Sequence, residues 1–175
     1  LDARELARMT IGIHYKGKLK SEDEYIKLTN TVRFHAGQYR WLTEEYADTN
    51  EILIRTDTED GGKFTVSKYH GPVKGIIIYP PHYESLMFKF DSDLYCQWSC
   101  KIQSVPSNIH IRVIELFDMI HPLFEFIDIQ DDSEYWVHRD KHRLEQVLRN
   151  DPDTSDIKGG YPKKNRQGPP EDVAV

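Results

Sequence analysis

Cysteine is scarce in this chain: only Cys96 and Cys100 occur among 175 residues. Their C-x3-C spacing falls inside an expected strand, which sets both side chains on one face, farther apart than a disulfide comfortably spans. Two thiols cannot complete a tetrahedral zinc site either. They read as reduced thiols of a cytoplasmic protein. No apolar run approaches the roughly 18 residues of a membrane span. The opening stretch, Leu1 to Arg8, is charged throughout and lacks the apolar h-region of a signal peptide. Phosphate-cradling glycine loops are missing, because Gly61-Gly62 and Gly159-Gly160 have neither the spacing nor the strand-to-helix setting. There is no G-x-S-x-G elbow, and no repeat of solenoid length is visible. Basic charge is in deficit, with 23 Lys and Arg against 29 Asp and Glu, a net −6. That balance argues against nucleic acid and anionic membranes as partners. The length suits one domain that needs no metal or disulfide for a core, and no cofactor is expected.

What is present has clear periodicity. From Met9 to Lys16, Ile11, Ile13 and Tyr15 alternate with polar residues, the period of a half-buried strand. Ser21 and Glu24 form a capping-box pattern ahead of a helix running to about His35, with Tyr25, Leu28 and Val32 on its buried face and Gly37 as its stop. Several short strands follow. One holds Ile52 and Ile54, and another holds Phe64 and Val66 after the Asp60-Gly61-Gly62 turn. Val73 to Tyr79, with three consecutive isoleucines, reads as a strand buried on both faces and ended by Pro80-Pro81. Leu86–Phe90, a turn at Asp91-Ser92-Asp93 and Leu94–Gln103 continue the meander. Ser107 is the expected N-cap of a second helix, whose Ile109, Val113, Leu116, Phe117 and Ile120 recur at helical spacing until Pro122. Phe124–Ile129 is the last strand, and a helix over Lys141–Arg149 follows, capped by Asp140. The predicted fold is α+β, a mostly antiparallel sheet of about six to seven strands with two main helices on one face and a short C-terminal helix. Residues 1–8 form an extension and 9–150 the domain. Residues 151–175, rich in proline and glycine and almost free of aliphatics, read as a flexible tail.

Few polar constellations carry chemistry. His138 and His142 have helical i,i+4 spacing, but the pair straddles the expected helix start at Asp140 and has no glutamate in the metalloprotease position, so no metal site is assigned. His82 sits in a loop after a buried strand, where functional side chains concentrate. Lys101 and Gln103 share one face at a strand end, and the chain then turns into a helix whose first turns carry His110. A helix N-terminus offers free N–H groups and a positive dipole end, so this junction could hold a carboxylate or phosphate. Glu134-Tyr135-Trp136, after the last strand, is a second cluster that could line a cleft. Candidate ligand-binding residues are therefore Lys101, Gln103, His110, Glu134, Trp136 and His82.

Ser99-Cys100-Lys101-Ile102-Gln103, Asn108-Ile109-His110-Ile111, Phe126-Ile127-Asp128-Ile129 and Asp132-Ser133-Glu134-Tyr135-Trp136 together resemble a family of small uncharacterised bacterial proteins. Its pattern is a Lys-x-Gln strand, a helix starting near Val-His-Ile, a further strand and an acidic Tyr-Trp motif. The resemblance spans roughly residues 10–148 and departs after Trp136, where Val137-His138 replaces Glu-Thr. It implies candidate residues and no reaction. The leading expectation is a binding or protein-interaction domain without catalytic activity, docking a protein partner at an edge strand or at the Glu134-Tyr135-Trp136 surface. The alternative is a small-molecule site or enzyme built from Lys101, Gln103, His110 and Glu134. In it His110 would move a proton and Lys101 would clamp a small anionic ligand. A third option, nucleic acid held by Lys163, Lys164 and Arg166 of the tail, would show as steep salt dependence.

Overall fold

The computed structural model describes residues 11–59 and 61–149, so the expected N-terminal extension and C-terminal tail lie outside the described residues. Among the described residues six strands form two three-stranded antiparallel sheets. The first has the order β5-β1-β6, from β1 (Gly12–Leu19), β5 (Tyr95–Lys101) and β6 (Phe124–Asp131). The second has the order β2-β3-β4, from β2 (Leu42–Glu59), β3 (Lys63–Tyr79) and β4 (Leu86–Phe90). Helices α1 (Glu22–Gln38) and α2 (Ser107–Ile120) cover the inner faces. A 3-10 turn (His121–Leu123), a single helical turn α3 (Tyr135–His138) and α4 (Lys141–Arg149) complete the chain.

The strand alternation becomes two unlike faces. Ile13, Tyr15 and Leu19 of β1 are buried while His14 is exposed, and Cys96 and Cys100 of β5 are buried on the inner side. Burial pushes both thiols up to about 12, so they stay protonated and inert. Tyr15 joins the two sheets. Its ring lies 5.2 Å from Phe88 and 5.0 Å from Phe117, and its hydroxyl donates to the Met87 carbonyl at 2.7 Å, so the deepest phenol of the core is satisfied. In the second sheet a Cβ at Gly75 would stand 1.9 Å from the Phe88 carbonyl. Only glycine lets β3 and β4 approach there.

Three local expectations are corrected. The short strands expected around Ile52, Phe64 and Val73 are parts of two long ones, of 18 and 17 residues. Pro72 does not interrupt β3 because its missing N–H falls at a register shift between Asp48 and Glu51, where it has no cross-strand partner. The Ser21–Glu24 capping box does not close, since Ser21 makes no side-chain cap bond and Glu24 takes Lys27 instead. Glu22, Asp23 and Glu24 still place negative charge at the positive end of α1. Pro106, not Ser107, occupies the N-cap position of α2, and its carbonyl accepts the N–H groups of Ile109 and His110. The cap on α4 is as expected: Asp140 Oδ1 accepts the Arg143 N–H at 3.1 Å, and Leu144 and Leu148 are buried.

Candidate functional site

The six residues singled out in the sequence occupy different environments. Lys101 is exposed at the end of β5, with its backbone N–H on Glu84 Oε2 at 2.9 Å. Gln103 is half-buried and its amide nitrogen has no hydrogen-bond partner. Glu134 is exposed and pairs with Arg143. Trp136 packs edge-on against Phe117 and His121, with the Arg139 guanidinium 4.9 Å from its ring centre. His82 is exposed, in left-handed backbone at φ 58°. His110 is fully buried. No hydrogen bond, ion pair or ring contact joins any two of the six among the described residues.

His110 is the centre of a buried knot made with residues the sequence reading left out. The end of β6 supplies Asp131, the following turn supplies Ser133, and the loop before β4 supplies Tyr83. His110 Nε2 lies 3.1 Å from Asp131 Oδ2 and 3.2 Å from Ser133 Oγ. Its Nδ1 lies 3.1 Å from the Tyr83 hydroxyl, with the two rings nearly parallel. Burial pushes the Tyr83 phenol well above its ordinary range, so it stays neutral beside Nδ1. The Asp131 carboxylate can only accept, so Nε2–H donates to it. Burial works to raise the Asp131 pKa, but His110, the Ser133 hydroxyl and the Trp136 N–H all donate to the carboxylate and hold it below the ordinary range.

This knot holds the right residue types for nucleophilic catalysis in the wrong order. A serine nucleophile needs the base on its hydroxyl and the carboxylate on the far nitrogen of the ring. Here Ser133 and Asp131 share one nitrogen, and the serine proton goes to Asp131 Oδ1 at 2.7 Å. The group ties α2, the turn after β6 and the β3–β4 loop together as a satisfied polar network.

The outer face of the first sheet carries a second set. His14 Nδ1 lies 2.8 Å from Ser99 Oγ across the β1–β5 register, and Nε2 lies 3.4 Å from Asp132 Oδ2. Asp132 also accepts the Gly12 N–H at 2.8 Å. The order is hydroxyl, imidazole, carboxylate, but the side chains of His14 and Asp132 are 47% and 43% exposed. Water competes for every contact, and this weakens both the base and its orientation. His14 and Ser99 floor an open groove of about 460 Å³, with Lys16, Gln97 and Asp128 beside them and Phe64 on the wall.

The wall belongs to an arm formed by the outer parts of β2 and β3. Asp57 on the arm pairs with Lys16 at 3.0 Å. Gln97 reaches Thr56, accepting its N–H at 3.2 Å and donating to its carbonyl at 2.8 Å. Arg55 forms an ion pair with the buried Asp91 of the β4–β5 turn and lies 4.3 Å from the ring centre of Tyr95. Contacts at Arg55, Thr56 and Asp57 thus pin the middle of the arm to the body. Along the arm, Ile52, Ile54, Phe64 and Val66 are 50%, 70%, 73% and 68% exposed. The register pairs Thr56 with Val66 and Thr58 with Phe64. Directly paired residues and their i±2 neighbours share a face, so all four apolar side chains lie on one side of the ribbon.

Among the described residues no group of three or more His, Cys, Asp or Glu is placed to hold a metal ion, and no helix is long and apolar enough to cross a membrane. No protein-family model matches this chain, and neither does any curated protein or solved structure.

Proposed function

We propose that this chain is a cytoplasmic protein-interaction domain without catalytic activity, which docks a partner protein on the apolar face of its β2–β3 arm. The observation that carries the reading is the row of Ile52, Ile54, Val66 and Phe64, half to three-quarters exposed on one face of a ribbon pinned to the body at Arg55, Thr56 and Asp57. Scattered surface hydrophobics need no explanation, but a contiguous row with charged residues beside it is the composition of a docking patch. The buried, protonated thiols support a reducing compartment. The inward-facing imidazole supports a structural role for His110, because every polar atom around it is spoken for.

The test is affinity capture from source-cell extract with the chain and with Ile54→Ser/Phe64→Ser as baits. A partner held by the first and lost by the second, at matched melting temperature, is the expected result. Identical captured sets would reject the arm as the docking surface. A second reading, a small anionic ligand beside Lys16 and His14, is favoured by the polar floor of the groove. It predicts a thermal shift with inorganic phosphate or simple carboxylates that Lys16→Ala removes.

A further inference from the structure

The apolar face is only half of what the arm offers. Among the described residues β2 is the outermost strand of its sheet, and no strand pairs with its outer side. In an antiparallel ladder a residue turns its N–H and C=O to the same side, alternately toward one neighbour and the other. Thr56 gives both groups to the Gln97 side chain, so they point away from β3. The register is unbroken from Glu51 to Glu59, so the backbone groups of Ile54 and Ile52 also point outward. They have no partner among the described residues. The carboxamide of Gln97 therefore occupies one rung of a ladder whose next rungs are open. A cleft of about 230 Å³ lies beside them, lined by Ile52, Ile54, Tyr95 and Trp98 and by Arg55 and Lys89, whose charges are already taken by Asp91 and Glu51.

Ahead of Arg55, charge on this edge is one-sided. From Leu42 to Ile54 there are four acids, Glu44, Glu45, Asp48 and Glu51, and no Lys or Arg. Glu45 pairs with Arg33 and Glu51 with Lys89. Glu44 accepts only a phenol, that of Tyr79 at 2.8 Å, and Asp48 accepts a backbone N–H from Asn50. Two carboxylates therefore face solvent with no cation. A second copy of this chain, set edge to edge, would bring acid against acid, which disfavours self-pairing.

We infer that β2 accepts an extended basic segment of a partner protein as an added strand. The segment alternates Lys or Arg with β-branched residues. Its backbone takes the open rungs at Ile52 and Ile54, its cations meet Glu44 and Asp48, and its apolar side chains extend the Ile52–Phe64 row. Backbone pairing would supply affinity, and charge would supply register and discrimination. The inference rests on the arm being the docking surface and adds the chemistry of what docks.

Three fluorescein-labelled peptides of about ten residues test it: alternating Lys-Val, alternating Glu-Val, and the Lys-Val peptide with a central proline. Anisotropy reads affinity, and amide hydrogen exchange by NMR reads location. The expected result is binding of the Lys-Val peptide at least about tenfold tighter than either control. Exchange at the Ile52 and Ile54 N–H groups should slow, and Glu44→Lys/Asp48→Lys should weaken binding several-fold at unchanged melting temperature. Equal binding of the proline peptide would mean charge attraction without a ladder and would overturn the inference. So would protection on β6 instead of β2, dimerisation of the chain through β2, or no binding at all, which would leave the acids as guards against aggregation. If the capture experiment yields an arm-dependent partner while the peptides fail, only this inference falls. If both fail, the arm reading falls with it.

Discussion

Asp131 and Asp132 follow each other at the end of β6 and face opposite sides of the first sheet, and each takes a histidine that also meets a serine. Asp131 meets His110 with side chains 1% and 0% exposed. Asp132 meets His14 with side chains 43% and 47% exposed. Residue types and chain position are almost the same, and solvent makes the difference. Inside, every donor and acceptor must be paired or cost free energy, so the knot is a structural clamp. Outside, water can replace each partner, so the same groups form a loosely held polar surface. Polar constellations thus acquire meaning only once burial and bond order are known.

Breaking the inner pair should have the largest effect. Asp131→Ala leaves His110, the Ser133 hydroxyl and the Trp136 N–H without their acceptor; at about 1–3 kcal/mol for each buried unsatisfied group, it should cost at least about 3 kcal/mol by urea unfolding. The same residue sets a pH dependence. Its folded pKa lies below the unfolded value of 3.8. Its stabilisation is therefore complete above that value and is lost as pH falls through the folded pKa. Wild type should lose stability in acid more steeply than Asp131→Asn, and parallel curves would show that the carboxylate is not held by the knot. Tyr83→Phe keeps the ring but leaves His110 Nδ1 unpaired, an expected loss of about 1–3 kcal/mol. Asp132→Ala should cost no more than about 1 kcal/mol, and a cost equal to that of Asp131→Ala would erase the contrast between the two sides. Ile54→Ser on the arm should stay within about 0.5 kcal/mol of wild type. A large loss there would mean the apolar row packs within the molecule and is not a docking surface.

Much of the fold was legible from local rules. Alternation marked β1, the Asp91-Ser92-Asp93 turn separated β4 from β5, the 3.6-residue period marked α2, and Asp140 marked the start of α4. The arm was harder. His70-Gly71-Pro72 looks like an interruption, and only the bulge opposite it in β2 allows one strand to run through. His110 was picked out by its place near a helix start, yet the companions that define it were missed. Asp131, Ser133 and Tyr83 come from segments 21 to 27 residues away in sequence, and nothing local marks which of Asp131 and Asp132 turns inward. The strand parity of β6 held a clue, since consecutive residues must face opposite sides.

The sequence by itself determined the α+β class, the two main helices, the inert thiols and the acidic balance, because periodicity, turn chemistry and charge are properties of neighbouring residues. Only the tertiary structure decided that the strands divide into two sheets, that the β2–β3 ribbon stands out as an arm with an open acidic edge, and that one imidazole is locked inside while another faces water. Those outcomes depend on which distant segments pair and what they cover, and short-range pattern carries no record of that.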